Sequence, residues 1–248
     1  MKYLVLLVFV VSGWLNAQEK YVLVIHGGAG SINQENISSE EEQAYRAKLE
    51  EALKAGYAEI QAGKNSLNAV QSAIMVLENS PLFNAGKGAV FTHDGRNELD
   101  ASIMYGKTEN AGAVAGVTNI KNPILAARAV MDKSAHVMLA REGAEQFARE
   151  VGLEMVSPVY FWTEKRFKQL QSIVEKENNK VGTIDLDYPD WKFGTVGAVA
   201  LDHDGNLSAG TSTGGMTNKK WARIGDSPII GAGTYANQTV GVSSTGWG

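Results

Sequence analysis

The chain has 248 residues, 44% of them hydrophobic and 20% charged, with a net charge of −4. That is enough apolar mass for one large globular domain, and the mildly acidic balance argues against nucleic acid as the main partner, because phosphate binding wants a basic surface. The absence of cysteine excludes disulfides, zinc–thiolate sites and thiol nucleophiles together.

The first 17 residues, MKYLVLLVFVVSGWLNA, carry one Lys, an apolar core from Tyr3 to Val11 and then small residues. The run is too short to span a membrane and is expected to be a signal peptide, so the protein is expected to be exported, periplasmic or secreted. Tyr21–Ile25 is an apolar run of strand length followed by His26-Gly27-Gly28-Ala29-Gly30. Ser39 with Glu42 three residues on predicts a capping box, and Ala44, Leu49, Leu53, Tyr57 and Ile60 give a helical period over Glu41–Gln61. A second helix is predicted over Ser66–Asn79, ending before Pro81. PLFNAGKGAVF then reads as a Gly-rich loop running into a strand.

His93-Asp94-Gly95-Arg96 is a turn signal, and Leu99–Tyr105 and Ala111–Thr118 are predicted strands. Helices are predicted at Ile124–Met131, Val137–Glu150 and Trp162–Glu177. A polar run, KENNKVGTIDLDYPD, reads as a linker in which Asp185, Asp187 and Asp190 are a solvated loop. From Gly194 the chain reads as two strands joined at Asp202-His203-Asp204-Gly205. Runs of strands between runs of helices predict an α+β layered fold rather than regular βαβ.

Two motifs invite familiar readings and fail them. The third glycine position after Gly28-Ala29-Gly30 is Asn33, which breaks a dinucleotide fingerprint. Gly210-Thr211-Ser212-Thr213-Gly214 matches the G-x-S-x-G nucleophile elbow, but all four histidines, His26, His93, His136 and His203, precede Ser212, whereas the elbow's triad needs its His afterwards. There is no HExxH and no His pair at ligand spacing.

Gly194-Thr195 offers another nucleophile. A hydroxyl needs a base to remove its proton, and an α-amino group, with a pKa of roughly 7.7–8, can serve if Thr195 becomes an N-terminus. The chain would have to be cut before it. Glycine at 194 suits such a cut, since it neither obstructs attack by the Thr195 hydroxyl on the preceding carbonyl nor resists strained dihedrals.

Gly194–Asp202, Gly210–Lys219, Arg223-Ile224-Gly225-Asp226-Ser227-Pro228 and Gly231–Asn237 resemble the plant-type asparaginase family, the isoaspartyl peptidase/L-asparaginases among the N-terminal-nucleophile hydrolases. The resemblance extends upstream through His26–Gly30, Pro81–Gly86, Glu98–Ala101 and Ala111–Val117. It implies a four-layer αββα sandwich, a precursor cut between Gly194 and Thr195, an α chain over 18–194 and a β chain from 195. It implies hydrolysis of β-aspartyl dipeptides and L-asparagine, with Thr195 as nucleophile and its freed amine as base. Thr213 would tune Thr195, and Thr245 and Gly246 would form the oxyanion hole. Arg223 would pair with the substrate carboxylate and Asp226 with its ammonium, the pocket also taking in Ile224, Gly225, Trp247 and Gly248. Asn84 and Thr211 would support the site. The loop of Leu77, Glu78, Ser80, Phe83, Ala85 and Lys87 would hold a structural sodium through backbone carbonyls, with no catalytic cofactor. A dimer of αβ units is implied.

Glycosylasparaginase is the near relative within the family, and a non-maturing, non-catalytic exported relative is the alternative of another class. Ala222 stands where the family often has Gly. Family members also continue beyond the motif Ser244–Gly248, so the β chain is expected to be incomplete at its C-terminus.

Overall fold

The computed structural model describes residues 21–29, 37–179 and 194–246. The predicted signal peptide, Gly30, the aspartates of the linker, Trp247 and Gly248 lie outside the described residues.

In chain order the elements are β1 (Val22–His26), α1 (Ser39–Gln61), α2 (Ser66–Glu78), β2 (Leu99–Tyr105), β3 (Asn110–Val117) and α3 (Pro123–Lys133). Then follow β4 (Met138–Ala140), α4 (Arg141–Glu150), α5 (Glu164–Asn179), β5 (Val196–Leu201), β6 (Leu207–Thr213), β7 (Thr234–Ala236) and β8 (Gly241–Ser243). One sheet has the order β1-β5-β6-β2-β3-β4, antiparallel except for β3–β4, and β7–β8 form a second sheet. Among the described residues the layers are helices, large sheet and small sheet, which is the α+β layering the sequence predicts.

Strand alternation assigns the two faces of the large sheet different chemistry. Ala101, Ile103, Val196 and Ala198 face the helices and belong to the main core with Val70, Ile74 and Leu77 of α2. Gly210 and Gly112 let the helices sit close: a Cβ at Gly210 would lie 2.7 Å from Val70 Cγ1, and one at Gly112 would lie 2.1 Å from Ala127 O. The face toward β7–β8 carries Asp100, Ser102, Thr195, Thr211 and Thr213, all buried. Polar groups buried between two sheets must find partners there, and this face holds the candidate site.

Three predicted elements are corrected. The N-cap of α1 is Ser38, whose hydroxyl accepts from Glu41 N at 3.1 Å, one residue before the predicted cap. The predicted helix from Val137 begins only at Arg141, because Met138–Ala140 pair with β3 as a parallel strand. Arg141 has φ 52, a left-handed residue that separates strand from helix, and a three-residue strand leaves no period to read. Ala89–Phe91 is buried but is not a strand. Its backbone is claimed by side chains: Val90 N donates to Asn84 Oδ1 at 2.9 Å, and Asn97 Nδ2 donates to Ala89 O and Val90 O. β1 also differs from its fully apolar reading, since Val22 and Val24 point outward and are half exposed.

The Asp202–Gly205 turn forms as predicted: Asp202 Oδ1 accepts from Asp204 N and Asn206 N, and Gly205 has φ 79. Among the described residues no helix is long and apolar enough to cross a membrane.

Candidate active site

Register builds the site. β5 pairs with β6 so that Val196 opposes Ser212, which puts Thr195 beside Thr213 on the face toward the second sheet. Thr195 Oγ1 donates to Thr213 Oγ1 at 2.9 Å, and Gly215 N donates to the same oxygen at 3.0 Å. The peptide before Thr195 is gripped as well: Asn84 N donates to Gly194 O at 3.0 Å. Asn84 is itself fixed, its Nδ2 donating to Gly215 O at 2.7 Å, its O accepting from Gly214 N and its Oδ1 from Val90 N.

Gly194 is demanded by proximity. A Cβ there would lie 2.7 Å from Asn84 Cβ, and a Cβ at Gly28 (φ 125) would lie 2.4 Å from Gly194 Cα. The His-Gly-Gly loop after β1 therefore closes directly over the residue before Thr195. His26 packs here too: its Nε2 is 2.9 Å from Ser243 Oγ, and its pKa is lowered by burial, partly opposed by the Thr195 backbone.

The hydroxyls of β6 divide by side. Thr213 meets Thr195. Thr211 Oγ1 joins the sheets through Gly233 O at 2.9 Å and Ser243 Oγ at 2.8 Å, and it accepts from Thr234 Oγ1 at 2.6 Å. Ser212 points to the helices and donates to Glu78 Oε1 at 2.6 Å. That carboxylate also accepts from Ile124 N and Asn122 Nδ2; burial nonetheless raises its pKa to about 7. Ser212 thus lies inside a strand with no His beside it, which removes the nucleophile-elbow reading.

The loop from Lys219 to Pro228 carries the predicted carboxylate and ammonium partners. Gly225 leaves room for the Arg223 guanidinium, since a Cβ there would lie 2.6 Å from Arg223 Nη1. The Arg223 charge acts on Asp100 of β2 and on Lys219. Ser102 Oγ donates to Ser227 O at 2.6 Å and holds the residue after Asp226 to the large sheet. Ile224 is partly exposed. Thr245 and Gly246 follow β8, which reaches the site through Ser243, and Gly246 has φ 147.

Sequence reasoning gave no role to Lys219, Glu98, Asp100 or Arg141. Lys219 is buried with its Nζ donating to Glu98 O at 3.1 Å and lying 4.0 Å from Glu98 Oε2. Arg141 Nη1 lies 3.7 Å from Glu98 Oε1. The available signal was two acids at i and i+2, Glu98 and Asp100, leading into an apolar strand, which puts both on one face.

The predicted cation loop offers carbonyls. A Cβ at Gly86 (φ 51) would lie 2.3 Å from Glu78 O, and one at Gly88 would lie 2.1 Å from Phe83 O and 2.7 Å from Pro81 O. The Lys87 ammonium is turned away, 5.4 Å from the Tyr160 ring centre. Two of the predicted carbonyls accept backbone hydrogen bonds, Leu77 O from Ser80 N at 3.1 Å and Ala85 O from Gly88 N at 3.2 Å. Among the described residues no cluster of three or more His, Asp or Glu could hold a metal ion.

Comparison with known proteins shows the family. The family model described as asparaginase matches residues 19–248. An isoaspartyl peptidase of Escherichia coli (strain K12) is 51% identical, the match covering 92% of this chain and 72% of that protein. A plant-type L-asparaginase of Pyrococcus abyssi is 47% identical, covering 91% and 73%. An isoaspartyl peptidase/L-asparaginase of Mus musculus is 46% identical, covering 92% and 67%.

Proposed function

The chain belongs to the asparaginase family, and on that premise we propose that it is a self-cleaving threonine hydrolase. It releases L-aspartate from β-aspartyl dipeptides and L-asparagine, with Thr195 as nucleophile. The observation that carries the reading is the pairing of Thr195 Oγ1 with Thr213 at 2.9 Å while the adjoining Gly194 carbonyl accepts from Asn84 N at 3.0 Å.

Maturation follows from that arrangement. The Thr195 hydroxyl oxygen attacks the Gly194 carbonyl carbon, the C–N bond breaks, the acyl group moves from nitrogen to oxygen and the hydroxyl proton ends on the departing Thr195 nitrogen. Asn84 N–H stabilises the charge that develops on the Gly194 oxygen, the kind of aimed donor that typically contributes a few kcal/mol. Water then hydrolyses the ester and leaves a free α-amine on Thr195. That amine takes the Thr195 hydroxyl proton during turnover, the side-chain oxygen attacks the substrate carbonyl, and ammonia or an amino acid leaves. A second water releases aspartate from the acyl-enzyme.

Arg223 pairs with the substrate α-carboxylate through its planar fork and Asp226 accepts from the α-ammonium. Thr245 and the Gly246 amide receive the substrate oxyanion. A sodium ion in the loop would be held by the carbonyls of Leu77, Glu78, Ser80, Phe83, Ala85 and Lys87. Its part is to brace the loop that carries Asn84. We also propose export by residues 1–17 and assembly as a dimer of αβ units. An exported chain beginning at Gln18 and a mass of two αβ units in solution are the expected results.

The test is a denaturing gel of the purified protein with N-terminal sequencing of each band, followed by assays on asparagine and β-aspartyl dipeptides. A band beginning at Thr195 is expected, together with aspartate release that Thr195→Ala abolishes. A single uncut chain that still releases aspartate would overturn the mechanism.

A further inference from the structure

Between Gly215 and Asp226 the chain places Asn218 (φ 63), Trp221 (φ 55) and Ala222 (φ 57) in the left-handed region that favours glycine. Asparagine tolerates that region; Trp and Ala resist it, because Cβ crowds the following carbonyl. Trp221 and Ala222 are the central residues of a tight turn, closed by Arg223 N donating to Lys220 O at 3.0 Å. Two consecutive positive φ values are the pattern of a type I′ turn, whose centre is dominated by Gly, Asn and Asp. Trp221 offers no packing in return, since it is 96% exposed. The turn leads directly into Arg223. Backbone strain of this kind persists only where surrounding contacts over-determine it.

Those contacts come from α5 and from the segment before β2. Leu170 and Ile173 bury one face of α5, and Glu177 continues that face one turn further on. Glu177 Oε1 accepts from Asn218 Nδ2 at 2.8 Å, and its Oε2 accepts from Lys220 Nζ at 3.0 Å. Asn218 Oδ1 lies 2.7 Å from His93 Nδ1, and Asn218 N donates to Phe91 O at 2.8 Å. Lys219, between the two partners of Glu177, turns inward to Glu98, and its O accepts from His93 N at 2.9 Å. Beyond them Arg141 Nη2 donates to Ala222 O at 3.4 Å. Burial opposes the charge of Glu177, but the bonds from Lys220 and Asn218 outweigh it and hold its pKa below the ordinary value. A lone half-exposed Lys–Glu pair adds little to overall stability. Here both oxygens of one carboxylate hold residues immediately before a strained turn, so the carboxylate acts on local geometry.

We propose that Glu177 is a positioning residue for Arg223: by clamping Asn218 and Lys220 it fixes the Lys220–Arg223 turn and so aims the guanidinium at the substrate carboxylate. Without the clamp the turn relaxes toward negative φ and carries Arg223 out of place. Glu177 precedes Thr195 and its partners follow it, so the clamp ties the α chain to the substrate loop of the β chain once the precursor is cut. This role rests on the reading of Arg223 as the partner of the substrate α-carboxylate.

The test compares the full-length wild type with Glu177→Ala, Lys220→Met, Ala222→Gly, the double variant Glu177→Ala/Ala222→Gly and Arg223→Lys. Melting temperature, appearance of the chain beginning at Thr195, and kcat and KM for asparagine are read for each. Glu177→Ala is expected to fold and release the Thr195 chain as wild type does, with KM raised about tenfold and kcat within about twofold, the signature of lost uniform binding. Lys220→Met breaks one arm of the clamp and is expected to raise KM about threefold, the scale of one partly exposed ion pair. Glycine adopts positive φ without a Cβ clash, so Ala222→Gly is expected to leave KM within about twofold of wild type. In that background Glu177→Ala is expected to raise KM less than about threefold, because the relieved turn no longer depends on the clamp. A merely structural role of Glu177 would not give that rescue.

Wild-type KM in folded Glu177→Ala would overturn the proposal. So would an equal rise in KM with and without Ala222→Gly, or a Glu177→Ala chain that fails to fold. Arg223→Lys with a wild-type KM, or a wild type that releases no aspartate, would instead remove the reading on which the proposal rests.

Discussion

Asn84 donates its backbone N–H to the carbonyl of Gly194 at 3.0 Å while its Cβ stands where a side chain on Gly194 would have to go. One residue thus both holds the carbonyl before Thr195 and dictates that its owner be glycine.

Gly194→Ala tests that relationship. The added methyl would meet Asn84 Cβ at 2.7 Å, an atom that cannot swing away. Overpacking of this kind typically costs about 1–3 kcal/mol. Here it acts on the carbonyl to be attacked, so cleavage before Thr195 is expected to slow by about tenfold or more. The time course of the Thr195 chain on a denaturing gel measures it, and wild-type cleavage would show that the contact does not govern maturation.

Thr213→Val keeps the shape of the side chain and removes the acceptor of both Thr195 Oγ1 and Gly215 N. Leaving buried donors unpaired costs about 1–3 kcal/mol. A fall in melting temperature is expected together with a loss in kcat of about a hundredfold, that of one preorganised electrostatic contact. Full activity in the folded variant would exclude Thr213 from tuning the nucleophile.

Arg223→Lys retains the charge and loses the planar fork. The expected result is an intact fold, normal release of the Thr195 chain and a kcat/KM for asparagine reduced by about ten- to a hundredfold. An equal loss for a substrate lacking the α-carboxylate would mean that Arg223 does not read that group.

Glu78 sets a pH-dependent prediction. Its folded pKa of about 7 lies above the ordinary 4.5, with burial outweighing three hydrogen bonds that favour the charged form. The folded state therefore holds this proton more tightly than the unfolded chain does. The resulting stabilisation is fully present below about pH 4.5 and is lost as pH rises through about 7. Glu78→Gln removes this titration. Its melting temperature is expected to fall less than that of wild type between pH 5 and about 8. Parallel curves for the two proteins would show that Glu78 stays ionised throughout.

Particular residues show where the sequence is legible. The strand Leu99–Tyr105 was read to the residue, since its composition and the flanking turn bound it on both sides. Gly194-Thr195 by itself is a weak signal, since a β-branched residue also simply opens a strand, and the resemblance of the surrounding motifs to the asparaginase family is what singles it out. Ala89–Phe91 misled because its apolar run matches a strand while Asn84 and Asn97 claim its backbone from a distance. Arg141 hid the break between β4 and α4, as nothing in its side chain announces a left-handed residue.

The sequence alone determined the layered α+β class, through local period, and the family resemblance, through ordered motifs, and that resemblance in turn singles out Thr195 as the candidate nucleophile. Only the tertiary structure decided that Thr211, Ser212 and Thr213 serve three different ends. Alternation puts neighbours on opposite faces, and what waits at each face comes from distant parts of the chain. The same holds for Asn84 over Gly194 and for Asp100 beyond Thr213. Each contact joins segments more than 100 residues apart, and register, not composition, brings them together.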